Sequence, residues 1–140
     1  MIVDLINYTR RVTIRPQDRT QLNNSAKIGG GITLMPGAGE NDGWMVKYVV
    51  FHYPGGDASY TGNAQFYMRH NASDQDLITP FNVSNVIHQD ETTYVAVPTV
   101  YEMKNNRSVR LYADPDLSLL TEPLDILIVA TKIFLSVYVD

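Results

Sequence analysis

The chain of 140 residues contains no cysteine. This excludes disulfide bonds, thiolate metal sites and cysteine nucleophiles together. Positive charge is also scarce, because the formal net charge is -4 and the pI is about 5.2. No basic field is therefore available to hold a phosphate backbone, and we expect no nucleic-acid partner. Rigidity must come from packing or from assembly.

Long apolar runs are scarce as well. The longest, residues 124–139, contains Asp125 and Lys132 and is too short and too polar to span a bilayer. Residues 1–8 include Asp4 and have no basic region before an apolar stretch, so they do not look like a signal peptide. We therefore expect no membrane partner and synthesis in the cytoplasm.

Short apolar or alternating segments, separated by glycine, proline and asparagine, fill most of the chain. The hydrophobic content of 44% and the charged content of 19% favour one folded domain. We predict an all-β fold of roughly seven or eight strands, an antiparallel β-sandwich of the jelly-roll type. The predicted strands include residues 28–35, 44–53, 63–69, 93–101, 109–113 and 124–139.

Two of these strands carry more specific predictions. Residues 44–53 are apolar on both faces, so we expect a central strand covered on both sides. Residues 124–139 form one long strand, or two strands joined at a bulge near Thr131 and Lys132. Residues 77–87 contain Pro80 and show no clean period, so only a short strand or a helical turn is expected there.

The first part of the chain is polar and weakly patterned. Residues 1–25 are predicted to form an N-terminal arm that carries one short strand at 10–15 and serves in attachment or in contacts between subunits. Residues 26–140 are predicted to form the sandwich domain.

The three histidines are the only bases that titrate near neutral pH, and no two of them are close in sequence. They are His52, His70 and His88. His52 falls on the same predicted strand face as Trp44, where a buried, hydrogen-bonded imidazole is the simplest interpretation. We predict no catalytic residue, no cofactor and no enzymatic activity.

Pairs of carboxylates two residues apart occur in two predicted loops. Asp74 with Asp76, and Asp114 with Asp116, are weak calcium candidates, but neither pair continues into a full calcium-binding loop. Solvated turn residues are the simpler interpretation, so no metal site is predicted.

Tyrosine is abundant, and three of its nine occurrences flank the predicted loop at 54–63. Tyr53, Tyr60 and Tyr67 are candidates for a binding surface, because tyrosines beside a loop stack on sugars or fill protein interfaces. Strand tyrosines at a sheet rim are the alternative interpretation.

The order of turns and strands resembles that of small virion proteins of tailed bacteriophages. The similarity lies in the turn Leu-Met-Pro-Gly-Ala-Gly at 34–39, the apolar strand at 46–53, the Ser-Tyr-Thr-Gly-Asn hairpin at 59–63 and the closing strand that ends at 137–139. It covers roughly residues 28–140 and departs at 40–43, where the loop is longer.

This resemblance implies a jelly-roll domain, commonly a homotrimer, that sits on the virion as a capsid decoration, auxiliary or head-fibre protein. Its partners would be further copies of itself and the major capsid protein or another virion protein. A carbohydrate- or receptor-binding jelly-roll module, with a glycan as partner, is the alternative. A metal-dependent, cupin-like enzyme ranks last, because it needs His52, His70 and His88 to converge.

Overall fold

The computed structural model describes residues 6–22, 30–55, 64–87, 93–100, 102–114 and 122–135. Within these ranges the chain forms eight strands: β1 (Ile6–Ile14), β2 (Ile32–Met35), β3 (Asp42–Tyr53), β4 (Gln65–His70), β5 (Phe81–Asn82), β6 (Thr93–Pro98), β7 (Val109–Ala113) and β8 (Leu124–Phe134). The described residues also include 3-10 turns at Pro16–Asp18 and Val83–Asn85 and a short helix, α1 (Arg19–Leu22). In this part of the chain no helix is long and apolar enough to cross a membrane.

The strands form two four-stranded antiparallel sheets. Sheet A has the order β1-β8-β3-β6, and sheet B has the order β2-β7-β4-β5. The first strand pairs with the eighth, the second with the seventh, the third with the sixth and the fourth with the fifth. This is the pairing of one long hairpin rolled into two layers, which is a jelly roll. The predicted fold class is confirmed.

The core lies between the two sheets and is tied together by aromatic contacts. Phe51 of sheet A and Phe66 of sheet B have ring centroids 5.2 Å apart, and Phe81 lies 5.2 Å from the first and 5.6 Å from the second. Aromatic pairs at such distances add to the burial of apolar area. Both sheets therefore depend on one shared layer of side chains.

Strand β3 is central, as predicted, but it contains a bulge. Its register against β8 shifts between Val46 and Tyr48, so Lys47 is an extra residue. Before the bulge the even-numbered side chains face the core, and after it the odd-numbered ones do. The buried side chains are therefore Trp44 and Val46, then Val49, Phe51 and Tyr53. Residues 44–53 therefore have one buried face that changes phase. The prediction of cover on both sides is wrong for the single chain, because Tyr48 is 46% exposed.

Of the two alternatives predicted for residues 124–139, the structure shows the single strand, because β8 has no bulge at Thr131 and Lys132. It pairs with β1 in one unbroken register from Ile6 opposite Lys132 to Ile14 opposite Leu124. Val129, Thr131 and Ile133 are all buried on the outer side of this strand, and the Thr131 hydroxyl donates to the side-chain oxygen of Asn7, so the strand lacks a simple alternation of buried and exposed residues. Residues 136–139 of the predicted strand lie outside the described part of the chain.

The described part of the predicted arm, residues 6–22, is integrated into the sandwich. The strand expected at 10–15 is longer, because β1 spans nine residues and forms an edge of sheet A. Ile14 and Leu22 are fully buried in the core. The attachment role assigned to the arm stays a prediction.

Candidate functional site

The predicted tyrosines lie in different parts of the sandwich. Tyr53 is fully buried, and its hydroxyl oxygen accepts a hydrogen bond from the backbone N–H of Glu122 at 3.3 Å. Tyr67 is half-buried on the outer face of sheet B and donates to Asp114 at 3.1 Å. Tyr60 lies outside the described residues. The structure thus does not bring Tyr53 and Tyr67 to one surface.

Two carboxylates of the candidate calcium pairs accept hydrogen bonds from other residues of the chain. Asp76 accepts from the Arg69 guanidinium at 2.7 Å, and Asp114 accepts from the backbone N–H of Gln65 at 3.1 Å. Asp74 is exposed, and Asp116 lies outside the described residues. In the ranges that the structure describes, no three acidic or histidine side chains are grouped so that they could hold a metal ion.

The bulge in β3 also decides where the histidines lie. His52 falls on the outer face of sheet A, opposite the side to which Trp44 and Val46 turn, so the predicted placement beside Trp44 is wrong. His70 is fully buried on the inner face of sheet B. These two histidines are separated by sheet A and do not converge, and His88 lies outside the described residues.

On the outer face of sheet A, side chains from four strands meet. Antiparallel register places side chains directly opposite each other in rows across β1, β8, β3 and β6. The first row is Thr13, Asp125, His52 and Tyr94; the second is Arg11, Leu127, Val50 and Ala96; the third is Thr9, Val129, Tyr48 and Pro98.

The second and third rows make the middle of this face apolar. Tyr48 on β3 is 46% exposed, and Leu127, its diagonal neighbour on β8, is 36% exposed; Tyr94 in the first row is 69% exposed. Large apolar side chains that lie singly on a surface need no explanation, but adjacent ones mark interaction surfaces. The register of the sheet therefore assembles a contiguous apolar patch from residues far apart in sequence.

The first row holds a polar network centred on Asp125. Arg11 donates to one carboxylate oxygen at 2.6 Å, the Thr13 hydroxyl donates to the other at 2.6 Å, and Nδ1 of His52 lies 3.6 Å away. Burial raises the pKa of Asp125, but the hydrogen bonds from Arg11 and Thr13 outweigh it and leave the pKa below its ordinary value. The same contact with Asp125 raises the pKa of Arg11. Both groups therefore stay ionised at physiological pH, and together they carry no net charge.

An exposed aromatic stack borders this network. The rings of His52 and Tyr94 are nearly parallel, with centroids 4.4 Å apart and planes at 11°. The shallow depression beside them has a volume of about 380 Å³ and is lined by Arg11, Val50, His52, Tyr94, Asp125 and Leu127.

No protein-family model, curated sequence or solved structure matches this chain. The resemblance to tailed-phage virion proteins therefore stays a prediction, and the outer face of sheet A is assessed on its geometry.

Proposed function

We propose that this chain is a non-catalytic structural subunit of a bacteriophage virion that assembles with further copies of itself through the outer face of sheet A. Capsid decoration, auxiliary and head-fibre roles all fit this proposal. The observation that carries it is the apolar centre of that face, where Tyr48 and Leu127 are exposed as diagonal neighbours on β3 and β8, and Ala96 is exposed on β6. The virion setting rests on the resemblance of the turn and strand pattern, together with the jelly-roll pairing of the strands.

The polar part of the face supports burial in an interface. Arg11 and Asp125 form an ion pair at 2.6 Å within one chain, and Thr13 satisfies the second carboxylate oxygen. A partner that covers them leaves no lone charge, which is the costly outcome when charged groups are buried. Tyrosine and arginine are also enriched in protein interfaces.

The size of the face sets the expected strength of the contact. Four strands about 4.8 Å apart give a width of about 20 Å, and three rows of side chains cover about 20 Å along the strands. The footprint is therefore about 400 Å². A standard interface buries about 800 Å² on each partner. Assembly through this face should therefore depend on concentration in solution, and the many copies on a virion surface would strengthen it through multivalency.

The proposal is tested by light scattering after size-exclusion separation, over a wide range of protein concentration. We expect an oligomer, a trimer in the first instance, that Leu127→Asp converts to a monomer, because the new charge lies in the centre of the apolar patch. Thr33→Asp is the matched control, since Thr33 lies opposite Arg110 on the outer face of sheet B. A wild-type monomer at every concentration, or equal effects of the two variants, would contradict the proposal.

A further inference from the structure

A second concave site lies on the other side of sheet A, at the open edge of the sandwich. It is a groove of about 480 Å³ between β1 and the loop that follows β2. Met35 and Trp44 form its buried floor, Tyr8 and Arg10 form one wall, and Lys132 closes one end. Its volume is within the range of about 300–1,000 Å³ that is usual for small-molecule sites.

The groove contains a fixed aromatic ring. Tyr8 is 38% exposed and stands edge-on to Trp44, with ring centroids 5.2 Å apart and planes at 77°. Trp44 is held in place because its indole N–H donates to the carbonyl of Pro36 at 2.6 Å. An aromatic ring that is supported from below and open above is a platform on which the apolar face of a ring-shaped ligand can stack.

Two cations border this ring. The Lys132 ammonium lies 5.9 Å from the centroid of the Tyr8 ring and 3.9 Å from Asp42. Arg10 lies two residues after Tyr8 on the same side of β1, and its side chain makes no hydrogen bond or ion pair with any residue that the structure describes. The groove therefore offers an uncompensated positive charge in a chain whose net charge is -4.

We propose that this groove binds an acidic oligosaccharide, with one sugar ring stacked on Tyr8 and carboxylates on the two sides of that ring held by Arg10 and by Lys132. Arginine binds carboxylates through two parallel hydrogen bonds, and lysine adds a point charge. Two cations in one groove are too few for a nucleic-acid backbone, which is tracked by a stripe of basic residues. The site is independent of the outer face of sheet A, because it opens on the inner side of β1.

Trp44 makes the proposal directly testable, since it is the only tryptophan of the chain and forms the floor of the groove. We would titrate the full chain with digalacturonate and follow tryptophan fluorescence, with neutral digalactose as the matched probe. We expect a saturable change with the acidic sugar and binding of the neutral sugar that is weaker by about tenfold, the value of one charge-assisted hydrogen bond.

Two variants separate the groove from the rest of the surface. Arg10→Gln should weaken binding of the acidic sugar by about tenfold and leave the affinity for the neutral sugar unchanged. Arg15→Gln is the control, because Arg15 is exposed one residue beyond the end of β1 and does not line the groove. Circular dichroism checks that both variants fold.

Three results would overturn the proposal: no fluorescence change with either sugar, equal affinity for both, or unchanged binding in Arg10→Gln. If Arg10→Gln instead aggregates while its sugar titration equals that of the wild type, Arg10 guards the edge of β1 against strand pairing and is not a ligand-binding residue.

Discussion

The outer faces of the two sheets differ in how their side chains are paired and exposed. On sheet B the polar side chains are paired within the chain: Arg69 contacts Asp76 at 2.7 Å, and Arg110 donates to the carbonyl of Gly30 at 2.8 Å. On sheet A the middle of the face includes two large exposed apolar side chains, Tyr48 and Leu127, with Val50 half-buried between them. The exposed side chains on sheet A are the basis of our proposal that its outer face contacts another copy of the chain.

Tyr112 shows how closely the chain covers sheet B. It lies opposite Tyr67 on the outer face of β7, yet it is fully buried. Gly31 passes over its ring with a φ of +74°, and a Cβ at that position would lie 2.6 Å from a ring carbon. Only glycine allows both this backbone conformation and this close approach. No comparable cover lies over Tyr48 on sheet A, in the ranges that the structure describes.

The largest effect is expected where the two sheets are alike, in the shared core. Phe66→Ala removes a fully buried ring that contacts Phe51 and Phe81, and it should lower the free energy of unfolding by about 3–5 kcal/mol. Chemical denaturation followed by circular dichroism and by Trp44 fluorescence measures it. Both signals should shift together although Phe66 is on sheet B and Trp44 on sheet A. A shift in circular dichroism alone would show that the sheets unfold separately.

A smaller effect is expected at the polar end of sheet A. Asp125→Asn removes the charge that Arg11 and Thr13 contact, and it should cost about 1 kcal/mol at neutral pH, because Arg11 is largely exposed. The pKa of Asp125 is lowered by folding, so its contribution is present above the ordinary carboxyl pKa and is lost as the pH falls through the lowered value.

Unfolding curves at several pH values check this prediction. The wild type and Asp125→Asn should differ at neutral pH and converge in strong acid. Asp74→Asn is the control, because the Asp74 carboxylate is exposed and, among the described residues, accepts a hydrogen bond from the side-chain amide of Gln75 alone. A constant difference between wild type and Asp125→Asn at all pH values would contradict the prediction.

The smallest effect at neutral pH is expected for His70, which is fully buried and makes no hydrogen bond of good geometry to a described residue. Burial lowers its pKa, nearby Lys104 and Arg107 act in the same direction, and Glu102 and the Trp44 backbone oppose them. Because the folded pKa is lowered, the unfolded state binds the proton more readily. Stability should therefore fall as the pH drops below the ordinary value of 6.5.

His70→Phe tests this dependence, because it keeps a ring of similar size and cannot be protonated. It should change stability at neutral pH by well under about 1 kcal/mol, because an apolar ring replaces an imidazole whose two nitrogens have no partner among the described residues. It should also flatten the loss of stability between pH 7 and the acid range, measured as the midpoint of thermal unfolding. An identical pH dependence in the wild type and the variant would assign the acid sensitivity to other groups.

The sequence predicted the strands better than the surface that they build. Strand β7 has the predicted bounds, and β3 was recognisable from its aromatic and β-branched residues and from the turn at Asn41, whose φ is +66°. The bulge at Lys47 could not be recognised in the sequence, because both the even-numbered and the odd-numbered residues around it are apolar. That one extra residue decides which side chains of β3 face outward.

The candidate site could not be predicted from the sequence, for a related reason. Arg11 and Asp125 are separated by 114 positions and meet only through the pairing of the first strand with the last. Tyr53 was chosen for its place beside a loop, but strand parity turns its ring into the core. Local patterns predict strands, whereas sheet order and register are long-range properties.

The central claim, that the outer face of sheet A is the one the chain shares with other copies, is tested most directly by thiol labelling. The chain has no cysteine, so single variants report single positions. We would compare Ala96→Cys on sheet A with Thr33→Cys on sheet B and measure labelling rates at low and high protein concentration. Our account predicts that labelling at position 96 slows as concentration rises while labelling at position 33 does not. Equal rates at position 96 at every concentration would contradict it.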